Sequence, residues 1–89
     1  MNSVVTVVGK DSVGIIYKVS GIMADNKINI LDISQTIMEG YFTMIMVVEI
    51  SESTKDIKDI RSLLDTAGKN LGVSINIQHE QVYQAMQRI

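Results

Sequence analysis

The spacing of apolar residues switches repeatedly along this chain between a strand-like and a helix-like period, and that rhythm limits the fold more than any single motif does. Ser3 to Val8 ("SVVTVV") is β-branched, apolar at nearly every position and bounded by Gly9, which predicts a strand buried on both faces. From Ser12 to Asp25, Ile15, Val19, Ile22 and Met23 recur at three- and four-residue spacing, which predicts a helix with one apolar stripe. Asp11 or Ser12 is placed to cap its start, and Asn26-Lys27 to end it, with Asn26 suited to a left-handed exit. Ile28 to Met38 reads as a strand whose alternation slips: Ile28 and Ile30 share one parity, Leu31, Ile33 and Ile37 the other. A bulge or local twist near Ile30-Leu31 accounts for the slip.

Glu39-Gly40 predicts a tight turn into a strand from Tyr41 to Ile50. A second helix follows "SESTKD", where Ser53 and Asp56 have capping-box spacing. Ile57, Ile60, Leu64, Ala67 and Leu71 fall on one face, and Gly72 stands where a helix-ending glycine belongs. Val73 to Gln78 alternates as a strand with one wet face, and Val82, Tyr83, Met86 and Ile89 give the tail a helical stripe.

The order is β-α-β-β-α-β. Two right-handed βαβ halves of this kind fold into one four-stranded antiparallel sheet with both helices on one face, the ferredoxin-like α+β sandwich, here with a short C-terminal helix. The first and third strands are expected in the centre. The second and fourth, carrying Asn29, Asp32, Ser34, Gln35, Ser74, Asn76 and Gln78, are expected at the edges. Apolar residues on the sheet face away from the helices then need a lid, either the terminal helix or a second subunit, and an edge strand favours pairing with another chain.

Eighty-nine residues suit one domain, read as 1–80 with a tail at 81–89. A chain 46% hydrophobic and 20% charged is not disordered, and a net charge of −2 argues against general nucleic-acid or anionic-membrane binding. With no cysteine there is no disulfide or thiolate metal site. The N-terminus has neither the basic start nor the apolar run of a signal peptide, and no stretch has the length of a membrane helix. A cytoplasmic domain is the expectation.

The strand-to-helix junction "GKDSVG" (Gly9 to Gly14) resembles a phosphate loop only in its glycines. Ile15 and Ile16 stand where the lysine and hydroxyl must follow, and the dinucleotide glycine pattern is absent too. What remains is a helix N-terminus whose free N–H groups attract an anion, next to Asp11, which repels phosphate and can hold an ammonium. A zwitterion fits that combination better than a nucleotide. The arginines, Arg61 and Arg88, lie far from the first turn, so phosphoryl chemistry there has no cation. The predicted central strands lack the stacking aromatics of RNA readers, with Tyr41 and Phe42 only at one strand's start. His79 is the single histidine and reads as a polar strand end, and one histidine without cysteine builds no typical zinc site. Asp56 and Asp59 read as a solvated helix face, and Met38, Met44 and Met46 as adaptable core. No cofactor and no catalytic or metal residues are expected.

"VTVVGKDSVGIIYKVSGIMADNKINILDIS" resembles the first half of an ACT domain, in its apolar strand, its "GKDSVG-I" turn, its helix and its "INILDIS" strand. The element order extends the likeness over about residues 2–79, and the single domain with its tail is similar to the short single-ACT proteins of bacteria. The resemblance implies a non-catalytic regulatory domain that pairs with itself and binds an amino acid at the junction of two copies. It places the ligand against Asp11, Ser12, Val13, Gly14 and Ile15 of one copy and Asn29 and Ile30 of the other. Lys27 stands where many members have glycine, and Asp11 and Ser12 differ from the residues of serine-binding members, so ligand identity does not carry over. A protein–protein interaction or dimerisation module without a small ligand, associating with itself or with another protein, is the other expectation.

Overall fold

A computed structural model describes residues 2–10, 14–53 and 55–87. The elements follow the expected order: β1 (Asn2–Lys10), α1 (Ile15–Asp25), β2 (Asn29–Met38), β3 (Tyr41–Glu49), α2 (Ile57–Leu71), β4 (Val73–His79) and α3 (Glu80–Gln87). The strands form one antiparallel sheet in the order β2-β3-β1-β4, with the apolar strands central and the polar ones at the edges.

Alternation along the central strands decides the core. Val5 and Val7 of β1, Phe42, Met44, Met46 and Val48 of β3, and Ile75 and Ile77 of β4 face the helices and are buried. Ile15, Val19 and Met23 of α1 and Ile60 and Leu64 of α2 complete the cluster. Each such side chain contributes about 1.5–3 kcal/mol by leaving water. Met44 and Met46 are core as expected. α1 rests against β2 and α2, while α2 rests against β4. Among the described residues no helix is long and apolar enough to cross a membrane.

Several ends differ from the sequence expectation. β1 runs through Gly9 to Lys10, because Gly9 pairs with both Phe42 and Val73 and lies close against the Val73 side chain. The α1 N-cap is Gly14, with no side-chain cap hydrogen bond, in place of Asp11 or Ser12, which lie outside the described residues. At the other end the left-handed residue is Lys27 (φ 57°), not Asn26. Asn26 is buried and its Nδ2 donates to the Ile22 carbonyl at 2.8 Å, tying it to the helix. For α2 the cap is Asp56 alone, whose Oδ1 accepts the Asp59 N–H at 3.0 Å. Ser53 Oγ instead accepts the Lys55 N–H, so the Ser53–Asp56 capping box does not form.

The slip in β2 is a bulge. Ile30 pairs with Val48 but Asp32 pairs with Val47, leaving Leu31 over. The Glu39-Gly40 turn has both residues at positive φ, the twist a two-residue hairpin favours. Gly72 closes α2 in the left-handed conformation. At the β4 edge, Arg61 donates to the Ile77 carbonyl at 3.1 Å, occupying an acceptor of that strand.

Candidate functional site

The two halves of the expected site lie at opposite ends of the sheet. β1 ends at Lys10, paired with Tyr41, and α1 starts near that end at Gly14. α1 then carries the chain back by eleven residues, about 16 Å at 1.5 Å per residue, to β2. There Asn29 pairs with Glu49, which pairs in turn with Asn2. One chain therefore does not bring Gly14 and Asn29 together.

At the Gly14 end, the residue holds φ 91°, which favours glycine, and its carbonyl accepts the Lys18 N–H at 3.0 Å. The first-turn N–H groups of an α-helix have no partner within the helix, so this end presents donors and a positive dipole. Ile15 is buried in the core and offers a ligand only its backbone. Asp11, Ser12 and Val13 lie outside the described residues.

At the other end Asn29 is exposed and borders a hollow of about 440 Å³, together with Lys27, Ile28, Glu49, Ser51 and Glu52. Glu49 Oε1 accepts the Ser51 backbone N–H at 2.9 Å, and that bond holds its carboxyl below the usual glutamate range. The hollow thus offers one ammonium, two carboxylates and an amide. Ile30 does not join it: its side chain packs on the core, opposite Val48. Lys27, Glu49, Ser51 and Glu52 escape a reading of the sequence because they come from separate segments joined only by the β2–β3 register.

Of two other hollows, the first also carries an ammonium, a carboxylate and an amide, from Lys18, Asp25 and Asn70, and the second carries no charge. The first, of about 710 Å³, is a groove between α1 and α2 bordered by Tyr17, Gly21, Ala24, Ala67 and Leu71. The second, of about 420 Å³, lies on the far sheet face between Thr6, Val8, Ile45 and Tyr83. Among the described residues no group of three or more histidine, aspartate or glutamate side chains is arranged to hold a metal.

His79 is more than a strand end. Its Nδ1 accepts the Gln81 N–H at 3.1 Å and so caps α3, which requires the tautomer with Nδ1 unprotonated. Asp59 is exposed as expected, and Asp56 serves as a cap.

The chain is a small ferredoxin-like sandwich with a helix N-terminus at one end of its sheet and a mixed-charge hollow at the other. The ACT domain model matches residues 3–78, and the chain belongs to the ACT domain family, a family of regulatory ligand-binding modules. It is 54% identical over 89 residues to a UPF0237 protein of Clostridium perfringens, covering 100% of both chains. The structure of an ACT domain protein from Streptococcus pneumoniae superposes with a TM-score of 0.82 at 40% identity, covering 100% of this chain and 97% of that one. A formyltetrahydrofolate deformylase from Pseudomonas syringae shares the fold at 20% identity, with a TM-score of 0.81 over 86% of this chain and 26% of its own.

Proposed function

We propose that this chain is a non-catalytic regulatory domain that binds an amino acid or similar small zwitterion between two copies of itself. The opposition of Gly14 and Asn29 carries the reading, because a symmetric pairing through β2 resolves it. If β2 pairs antiparallel with β2 of a second copy, the Asn29 end of each chain lies beside the Lys10–Gly14 end of the other. Each junction then combines a helix N-terminus, suited to a carboxylate, with Glu49 and Glu52, suited to an ammonium. Asp11 to Ile15 and Asn29 are the contacts we assign, and Ile30 serves as backbone. Lys27 adds a second carboxylate partner.

The apolar surface fits the same pairing. Ile16 and Tyr17 of α1 and Ile33 and Ile37 of β2 are exposed, and both elements lie on this side of the molecule. Among the strands β2 is the longer edge. A cytoplasmic homodimer that needs no cofactor, membrane or nucleic acid is the simplest setting for a cysteine-free, mildly acidic chain.

A thermal-shift screen with the common amino acids at millimolar concentration tests the ligand. A ligand at 100 times its Kd stabilises by about 2.7 kcal/mol, a shift well within reach of the assay, and Asn29→Ala should abolish it. No shift with any of them sinks the ligand. The same apolar strip favours one other reading, a dimerisation module without ligand, which predicts a dimer in sedimentation and a flat screen.

A further inference from the structure

The hollow on the sheet face turned away from the helices has a chemistry of its own. Strand alternation sends Val5, Val7, Ile75 and Ile77 into the core and so sets Thr6, Val8, Ser74, Asn76 and Gln78 on the opposite face. Thr6 pairs with Asn76 on one side and with Ile45 on the other, a row across three strands about 10 Å wide at about 4.8 Å per strand. Val8 pairs with Ser74 in the next row on that face, and Val4 with Gln78 in the row before it. From Ser74 to Gln78 is about 13 Å along β4 at about 3.3 Å per residue. These rows carry the hollow of about 420 Å³. That volume lies within the range of about 300–1,000 Å³ typical of small-molecule sites.

Tyr83 supplies one wall. α3 begins directly after β4 and rests on β1 and β4. By accepting the Gln81 N–H, His79 Nδ1 fixes the start of that helix, and Tyr83 stands one turn further on, half-buried against the hollow. α3 starts at Glu80, beyond residues 3–78 that match the family, so this wall is an addition to the sandwich. Val4, at the α3 end of β1, is 4% exposed, while Val8 is 43% exposed. The hollow is therefore closed at its α3 end and open toward Val8 and Ser74.

None of the lining residues is charged. Val8 and Ile45 give an apolar floor, and Thr6, Ser74, Asn76, Gln78 and Tyr83 set three hydroxyls and two amides around it. Those five side chains make no hydrogen bond among the described residues, so their donors and acceptors are open to a ligand. The geometry points to a binding site for a small uncharged ring compound with donors and acceptors along its edge, the chemistry of a nucleobase or nucleoside. Asn76 and Gln78 each present a donor and an acceptor together, which match the edge of such a ring. The apolar floor and the Tyr83 ring take its faces. A phosphate, or the charged ends of an amino acid, would lose water here with no lining charge to pair with. The site is thus distinct from the one proposed around Asn29, and it needs no second copy of the chain.

Nitrogen–proton correlation NMR of the full chain tests the assignment. Uracil, adenine and their nucleosides are added at millimolar concentration, with adenosine monophosphate, glucose and glutamate for comparison. The bases and nucleosides are expected to shift the Val8, Asn76 and Tyr83 amides saturably and to leave Lys27 and Asn29 unmoved. Tyr83→Ala is expected to weaken that binding about tenfold and Asn76→Ala about fivefold. His79→Ala removes the α3 cap without touching the hollow, and is expected to weaken binding several-fold while the β1 and β3 amides keep their positions. No saturable shift with any base or nucleoside overturns the proposal, as does binding undiminished by Tyr83→Ala. Unchanged affinity in His79→Ala overturns the positioning role given to the cap. Tighter binding of the monophosphate than of adenosine overturns the uncharged assignment, and saturation by glucose alone overturns the ring. Glutamate that moves Val8, Asn76 and Tyr83 overturns the separation from the zwitterion site.

Discussion

Lys27 combines a backbone that suits glycine with a charge at the edge of the candidate site, and substitution separates the two. Its φ of 57° places an L side chain in the left-handed region, at a cost of about 1–2 kcal/mol. Glycine avoids that clash but loses about 0.5–1 kcal/mol more backbone entropy on folding. The side chain is exposed, so little packing is lost. Lys27→Gly should therefore gain about 0.5–1 kcal/mol, which for a domain of this size raises Tm by about 2–8 °C. Lys27→Ala keeps the Cβ and gains nothing from this source, while both variants remove the ammonium. The difference between them reports the backbone, and whatever they share in a ligand titration reports the charge. Calorimetry at one fixed chain concentration measures it, because the Tm of an associating protein depends on concentration. A glycine variant no more stable than the alanine variant refutes the left-handed assignment. Weakened ligand binding in the alanine variant but not in the glycine variant refutes the role given to the charge.

Gly68→Ala and Gly21→Ala should move stability in opposite directions in urea unfolding. A Cβ at Gly68 falls 2.7 Å from the Val73 carbonyl oxygen, and lifting α2 from β4 costs about 1–3 kcal/mol, whereas a Cβ at Gly21 meets nothing within 4 Å and gains up to about 1 kcal/mol of helix propensity. Ser3→Ala should be neutral or stabilising by up to about 1 kcal/mol, since the buried hydroxyl has no hydrogen-bond partner among the described residues; a loss above that in the same assay refutes it. Glu49 should titrate below the ordinary glutamate value by NMR. Because its folded pKa is depressed, its contribution is present above the unfolded pKa and fades as pH falls through the folded one, so Glu49→Gln should reduce the loss of stability on the acid side.

The sheet order and the bulge were legible because each leaves a phase in the apolar pattern: continuous runs mark central strands, and the parity change after Ile30 marks Leu31 as the extra residue. Helix ends were less so, since neighbouring side chains compete to cap and tertiary burial chooses among them. Asn26 is the residue type that tolerates a left-handed backbone, yet its burial and its bond to the Ile22 carbonyl hold it against the last turn at φ −106° and leave the left-handed conformation to Lys27.

The hollow around Asn29 depends on both of these departures. Counted back from the Met38–Tyr41 pair of the hairpin, an unbroken register sets Asn29 opposite Ile50 and Ile30 opposite Glu49. The extra residue at Leu31 moves the pairing by one, so that Asn29 meets Glu49 and Ile30 meets Val48. One displaced residue thus turns Ile30 into the core and Asn29 toward the same side as the Glu49 carboxylate, while the left-handed turn at Lys27 brings an ammonium to the rim. A site assembled by a register shift cannot be read from the residue types along β2, although the shift that assembles it can.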